Sequence, residues 1–95
     1  MKIKKILIIG FGSIGKKHLK IIKKLRPGIN VNILIRPISI NKVKEEKLVN
    51  KTFTNIKDAI YEGADAAIIA SPASFHIEHS IEILKANIPV LIEKP

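Results

Sequence analysis

The sequence contains no cysteine and no tryptophan, and only 4% of its 95 residues are aromatic. The absence of cysteine excludes a disulfide framework and thiolate chemistry, which favours a reducing compartment, the cytoplasm. The low aromatic content leaves no platform on which the bases of a nucleic acid would stack. No apolar run approaches the roughly 20 residues that a membrane helix needs, and the run over 6–9 is too short for a signal peptide. We therefore expect one small globular domain with no membrane partner.

The formal net charge of +9 is unevenly distributed along the chain. Residues 1–51 hold fourteen Lys or Arg and two Glu, whereas residues 52–95 hold three Lys and six Asp or Glu. A basic half is found in nucleic-acid-binding proteins. Because Ile, Lys and Asn are all abundant and aromatic residues are few, a compositional bias explains the charge better. The same surplus would attract an anionic small ligand, and no nucleic acid is expected as a partner.

Apolar runs and helical patterns alternate along the chain. The runs predict strands over 4–9, 31–35, 51–53, 65–70 and 90–92. The helical patterns predict helices over 13–26, 41–49, 55–62 and 73–86, with a cap at Asn55 and stops at Gly63 and Asn87. The alternation predicts an α/β fold with a doubly wound parallel sheet of the Rossmann type. We expect about five strands in the order 3-2-1-4-5, with helices on both faces.

The spacing of apolar residues predicts which side of two helices faces the sheet. In the helix over 13–26 the predicted inward residues are Ile14, His18, Ile21, Ile22 and Leu25. In the helix over 73–86 they are Ala73, Ile77, Ser80, Ile81 and Leu84. On this pattern His18 is a structural histidine. No two histidines share ligand spacing with a third donor, so no metal is expected.

The segment Gly10-Phe-Gly-Ser-Ile-Gly15 follows a predicted strand and opens a predicted helix. In that setting the pattern G-x-G-x-x-G predicts a turn that binds the pyrophosphate of a dinucleotide. Gly10 allows the tight turn, Gly12 lets the pyrophosphate approach the backbone, and Gly15 lets the helix pack against the strand. The predicted cofactor-binding residues of this loop are Gly10, Phe11, Gly12, Ser13, Ile14 and Gly15.

The same residues nearly match a second phosphate-binding pattern. Gly10 to Lys16 fits the start of the nucleotide phosphate loop, G-x-x-x-x-G-K-[ST]. The next residue is Lys17, which lacks the hydroxyl that would bind Mg²⁺ in such a loop. The interior glycine and the helix that begins beside it favour the dinucleotide interpretation.

The end of the second predicted strand bears on the choice between NAD and NADP. A carboxylate about 20 residues past the loop normally binds the ribose 2′-OH of NAD. Residues 35–37 are instead Ile-Arg-Pro. Because an arginine at this place suits the 2′-phosphate of NADP, Arg36 predicts NADP in preference to NAD.

Two further segments, Ile69-Ala-Ser-Pro-Ala-Ser-Phe-His76 and Pro89-Val-Leu-Ile-Glu-Lys-Pro95, are more specific than the glycines. With the glycine loop they resemble, over the whole chain, the N-terminal domain of the glucose–fructose oxidoreductase / inositol dehydrogenase / rhizopine-catabolism (Gfo/Idh/MocA) family. The resemblance implies an NAD(P)-dependent oxidoreductase that transfers a hydride to or from a sugar, nucleotide sugar or polyol.

The resemblance also assigns roles to single residues. It implies that Ser71 and Pro72 line the cofactor cleft and that His76 packs beside the cofactor. Glu93 would bind the ribose on the nicotinamide side. Lys94 would be the catalytic residue at the junction of nicotinamide and substrate, where it orients the reacting hydroxyl and favours the developing alkoxide.

The resemblance further implies that residues 1–95 are an incomplete cofactor domain, which stops before a sixth strand and lacks a C-terminal substrate domain. Such a fragment would bind the cofactor with little or no turnover, and its open sheet edge favours a homo-oligomer. Two alternatives remain. One is a non-catalytic NAD(P)H-binding sensor, although such a sensor would not need Lys94. The other is a basic nucleic-acid-binding domain, whose affinity for nucleic acid would fall steeply with salt concentration.

Overall fold

The computed structural model describes residues 3–36, 47–70 and 73–92, apart from the side chains of residues 73–78 and 92. The elements in chain order are β1 (Lys5–Ile9), α1 (Ser13–Leu25), β2 (Asn30–Leu34), β3 (Lys51–Phe53), α2 (Ile56–Glu62), β4 (Ala66–Ile69), α3 (Ala73–Lys85) and β5 (Val90–Ile92). These bounds lie within one residue of the predicted ones. The predicted helix over 41–49 falls mostly outside the described residues, and its last part, around residues 47–48, is a turn.

The five strands form one parallel sheet in the order β3-β2-β1-β4-β5, which confirms the predicted topology. β1 is the central strand, and its Ile6 is in register with Val31 of β2 and Ala66 of β4. The chain moves outward from β1 in one direction through β2 and β3, and in the other through β4 and β5. Sheets of this kind bind ligands at the carboxyl ends of the strands, next to the point in the sheet where the strand order reverses direction.

The core is divided between the two faces of the sheet because alternate residues of β1 point to opposite sides. Ile6 and Ile8 pack on one side in a cluster that includes Leu19 of α1. Leu7 and Ile9 pack on the other side in a cluster that includes Ala59 of α2 and Ile83 of α3. Helices therefore cover both faces, as the unbroken apolar run of β1 predicted.

The structure corrects the predicted facing of α1 at Ile21 and Leu25. The other predicted inward residues are half-buried, and one of them packs against the cluster that contains Leu19: they are Ile14, His18 and, against the cluster, Ile22. Gly15 and Leu19 are the buried residues of this helix, whereas Ile21 is 44% and Leu25 74% exposed. The close approach of Gly15 to β1 sets the rotation of the helix, and Leu19 follows one turn later on the same side. Ile21 lies about 200° around the helix from Leu19 and therefore points toward solvent.

The predicted facing of α3 was wrong for Ile81 and Leu84 and right for Ser80, while the side chains of Ala73 and Ile77 lie outside the described residues. Ile83 is fully buried, while Ile81 and Leu84 are 47% and 59% exposed. Apolar residues occupy several sides of this helix, so their spacing alone did not identify the packed side. Ser80, one turn before Ile83 on the packed side, is half-buried, and its Oγ has no hydrogen-bond partner within the described part of the chain.

The ends of the helices follow the predicted signals. Asn55 caps α2 by accepting hydrogen bonds from the backbone N–H groups of Lys57, at 2.8 Å, and Asp58, at 3.4 Å. Gly63 ends that helix with a positive φ of 92°, a conformation that suits glycine. Asn87 follows α3 with a φ of 58° and ends it in the same way.

Polar contacts join the elements at the amino end of the sheet. The Oδ2 atom of Asp65 accepts hydrogen bonds from the backbone N–H groups of Lys4, at 2.8 Å, and Lys5, at 3.0 Å. These bonds hold the pKa of Asp65 below its usual value. The carboxylate of Glu62 contacts the Nζ atom of Lys51 at 2.6 Å, and this hydrogen bond lowers the pKa of Glu62. The two carboxylates attach the start of β1 to α2, β3 and the segment before β4.

We expect Asp65→Asn to lower the melting temperature at pH 7 and to have much less effect at pH 3. A carboxyl whose pKa is lower in the folded state than in the unfolded state stabilises the fold above the unfolded-state pKa. That contribution disappears as the pH falls through the folded-state pKa. Melting curves of both proteins between pH 7 and pH 3 measure the difference. Asp58→Asn removes the same charge from an exposed position and controls for net charge. An equal difference at pH 7 and pH 3 would contradict the assignment.

Candidate functional site

The loop between β1 and α1 lies at the carboxyl edge of the sheet, defined here as the end where β1, β2 and β4 finish. Gly10 follows β1 directly and has a φ of 90°, which allows the chain to turn sharply. Its backbone N–H donates a 2.8 Å hydrogen bond to the carbonyl oxygen of Leu34. The loop is thereby fixed beside the end of β2, where the two halves of the sheet diverge.

Gly15 brings the first turn of α1 against this loop. A Cβ atom at Gly15 would lie 2.5 Å from the carbonyl oxygen of Gly10 and 3.5 Å from the Cγ2 atom of Ile8. The first distance is far shorter than a carbon and an oxygen tolerate. The absence of a side chain at Gly15 therefore permits the close packing of helix and strand, as the sequence predicted.

Gly12 stands in a different environment, although it belongs to the same motif. It is the N-cap residue of α1, and a Cβ atom there would meet no atom of the described residues within 4 Å. Its carbonyl oxygen accepts the first helical hydrogen bond, from the N–H of Lys16 at 3.0 Å. The space beside the Gly12 backbone is thus open, and the packing of the described residues does not require a glycine at this position.

The amino end of α1 is suited to an anion. No side chain caps it, and its first turn contains no acidic residue. The first N–H groups of a helix lack partners within the helix, and the helix dipole favours negative charge at this end. Ser13 is exposed and Ile14 is half-buried in this turn. With the open space at Gly12, the loop has the shape and the polarity of a phosphate cradle.

Phe11 is the largest side chain of the loop. It is half-buried and packs against the cluster that contains Ile8, Leu19 and Ile35. The Nζ atom of Lys16 lies 5.9 Å from the centre of the Phe11 ring, within the range of a cation–π contact. Lys16 was not among the predicted site residues. Its position in the near-match to the nucleotide phosphate loop was the signal that could have identified it.

Arg36 follows the end of β2 and is exposed. Leu34 and Ile35 before it are buried, so Arg36 is the first residue after β2 with an exposed side chain. Among the described residues at this strand end there is no carboxylate of the kind that binds the ribose of NAD. Arg36 also takes part in an interaction within the protein.

The remaining predicted site residues belong to the ends of β4 and β5. Ser71, Pro72, Glu93 and Lys94 lie outside the described residues. His76 falls within α3, and its side chain also lies outside the described part of the chain.

Two further structural findings concern metals and membranes. Among the described residues, no group of three or more His, Asp or Glu side chains is placed to hold a metal ion. None of the helices in that part of the chain is long and apolar enough to cross a membrane.

Residues 4–95 match the family model GFO_IDH_MocA, described as an oxidoreductase family with an NAD-binding Rossmann fold. The inositol 2-dehydrogenase of Corynebacterium glutamicum is 33% identical over 91 residues, which cover 93% of this chain and 27% of that enzyme. The glucose-6-phosphate 3-dehydrogenase of Bacillus subtilis is 32% identical over 96 residues, which cover 97% of this chain and 26% of that enzyme. The chain therefore spans about a quarter of the length of these curated relatives.

A similar solved structure is that of scyllo-inositol dehydrogenase from Lactobacillus casei with bound cofactor NAD(H) and scyllo-inositol. The two structures align with a TM-score of 0.81 and 31% sequence identity. The alignment covers 99% of this chain and 28% of that one. The fold of the chain is thus that of the cofactor-binding part of a dehydrogenase.

Proposed function

Because the chain belongs to the Gfo/Idh/MocA family of oxidoreductases, with its NAD-binding Rossmann fold, we propose that it binds the dinucleotide cofactor of a polyol or sugar dehydrogenase. The observation that carries the proposal is the contrast between the two glycines of the loop. Packing within the protein explains Gly15, whereas the packing of the described residues leaves Gly12 unexplained, and a ligand bound at this loop would explain it. A pyrophosphate fits that space and the polarity of the helix end.

The loop residues hold and orient the cofactor in this proposal. The backbone N–H groups at the start of α1 bind the pyrophosphate, Gly12 allows its close approach, and Phe11 and Ile14 form apolar surface beside it. When bound, the nicotinamide accepts or donates the hydride, and the protein supplies position and electrostatics. The substrate class is supported by the relatives, which are named for inositol and glucose 6-phosphate.

Lys94 is the proposed catalytic residue, with Ser71, Pro72, His76 and Glu93 as further cofactor contacts. Chain position supports this assignment. β4 and β5 are parallel neighbours, with Ile69 in register with Ile92. Ser71 follows β4 by two residues and Glu93 follows β5 directly in the sequence. A lysine beside the reacting hydroxyl would orient it and stabilise the alkoxide that develops as the hydride leaves.

Cofactor binding tests the proposed function directly. Isothermal titration calorimetry of the 95-residue chain with NAD⁺ and with NADP⁺ should give a saturable one-to-one isotherm for at least one of the two cofactors. A chain that binds neither dinucleotide but binds duplex DNA with a steep salt dependence would be a nucleic-acid-binding domain instead.

We expect NADP⁺ to bind more tightly than NAD⁺, because Arg36 can pair with the 2′-phosphate that only NADP⁺ carries. Arg36→Ala should weaken NADP⁺ binding about tenfold and leave NAD⁺ binding nearly unchanged, since a hydrogen bond to a charged group contributes about 1.5–3 kcal/mol. Calorimetric titrations of both cofactors measure the ratio. Arg26→Ala removes the same charge from the other end of α1 and is the control. Tighter binding of NAD⁺ by the wild-type chain would refute the NADP preference.

A further inference from the structure

Lys16 occupies the position at which nucleotide phosphate loops carry their phosphate-binding lysine. The dinucleotide motif ends at Gly15, so it gives Lys16 no role. Lys16 is exposed and lies in the first turn of α1, next to the open space at Gly12. Its neighbour Lys17 is also exposed and carries the same charge. The two lysines differ in direction by about 100° around the helix axis.

The side chain of Lys16 is directed toward the glycine loop. Side chains of a helix lean toward its amino end, so a residue of the first turn can reach back over that end. The Nζ atom of Lys16 lies 5.9 Å from the centre of the Phe11 ring. Phe11 stands between Gly10 and Gly12 and packs against the core cluster that includes Ile35. The ammonium group therefore lies beside the glycine loop.

The charges of the described residues around Lys16 leave its ammonium group available for an anion. Within the described part of the chain, no carboxylate lies within ion-pair distance of its Nζ atom. The first turn of α1 contains no acidic residue. A contact with an aromatic ring does not neutralise the charge, so a phosphate could bind the ammonium from the solvent side.

We propose that Lys16 is a phosphate-binding residue of the dinucleotide site, with Phe11 as the residue that positions it. This inference rests on the proposed function, because it assumes that the loop binds a dinucleotide. The phosphate is either the pyrophosphate, which NAD and NADP share, or the ribose 2′-phosphate of NADP, which lies toward the Arg36 side of the loop. In both cases the ammonium group donates charge-assisted hydrogen bonds to phosphate oxygens.

The test compares Lys16→Gln with Lys17→Gln, which remove equal charge from adjacent exposed positions. Calorimetric titration with NAD⁺ and NADP⁺ at low salt should show a dissociation constant raised about tenfold for Lys16→Gln and less than twofold for Lys17→Gln. Lys16→Arg, which keeps the charge, should restore most of the affinity. Thermal melting of each variant checks that the fold is retained.

The two cofactors separate the two phosphates. A loss for both cofactors assigns Lys16 to the pyrophosphate, and a loss for NADP⁺ alone assigns it to the 2′-phosphate. Equal losses for the two glutamine variants, or no loss for either, would overturn the proposal while leaving dinucleotide binding intact. A wild-type chain that binds neither cofactor overturns the proposed function itself and the role of Lys16 with it, and this result appears before any variant is compared.

Discussion

Gly12→Ala is expected to weaken dinucleotide binding about 100-fold or more while leaving the protein folded. Within the described part of the chain the added methyl group meets no atom within 4 Å, so it projects into the space that we assign to the pyrophosphate. Displacing the pyrophosphate would break at least two charge-assisted hydrogen bonds to backbone N–H groups, at about 1.5–3 kcal/mol each. Calorimetric titration with NAD⁺ and NADP⁺ measures the loss.

Two measurements make the Gly12 result decisive. The free energy of unfolding in urea should fall by less than about 1 kcal/mol, because alanine is a poorer N-cap than glycine but fits this backbone conformation. Gly28→Ala is a matched control, since a methyl group there also meets none of the atoms that the structure describes within 4 Å. It should bind the cofactor like the wild type. Unchanged affinity in Gly12→Ala would contradict a pyrophosphate beside this residue.

Gly15→Ala is expected to destabilise the fold itself. Its methyl carbon would lie 2.5 Å from the carbonyl oxygen of Gly10, so the helix must move away from β1 or the loop must deform. Such overpacking costs about 1–3 kcal/mol in closely packed sites. For a domain of this size the corresponding fall in melting temperature is about 4–8 °C per kcal/mol. Thermal and urea unfolding measure the change.

The effect of Gly15→Ala should appear even though alanine is the better helix former, by about 1 kcal/mol in an exposed helix. A gain in stability would mean that the helix does not approach the strand as closely as described. The two alanine variants therefore separate the two functions of one motif. The change at Gly12 acts on the ligand with the fold retained, and the change at Gly15 acts on the fold.

The sheet was predictable because its signals are local. The unbroken apolar run of β1, the glycine that follows it and the Asn55 cap each specify an element without reference to the rest of the chain. The facing of α1 and α3 was not predictable in this way. In α1 the packed side is set by the contact of Gly15 with the loop, and glycine contributes nothing to a hydrophobic pattern. In α3 the buried Ile83 lies between two exposed apolar residues.

Polar contacts between distant segments also could not be predicted from the sequence. Asp65 was predicted only as the start of a strand, yet its carboxylate accepts hydrogen bonds from the backbone at the start of β1, from Lys5, 60 residues earlier, and Lys4, 61 residues earlier. Asn32 was part of a predicted strand without a role. Its side chain is buried and accepts a 3.1 Å hydrogen bond from the Nδ2 atom of Asn50. Neither partner is marked by a local pattern, because each pair is brought together only by the finished sheet.

The central position of β1 has a consequence for how the protein folds during synthesis. β1 precedes the other strands of this sheet in the sequence, and Ile6 can pair with Val31 as soon as β2 is made. Its other edge must wait for Ala66 of β4. A nascent chain that ends before β4 therefore presents an apolar strand with one unpaired edge, which is a site for misassembly. Parallel pairing over such a sequence distance is slow, so we expect β1 to pair with β4 later than with β2.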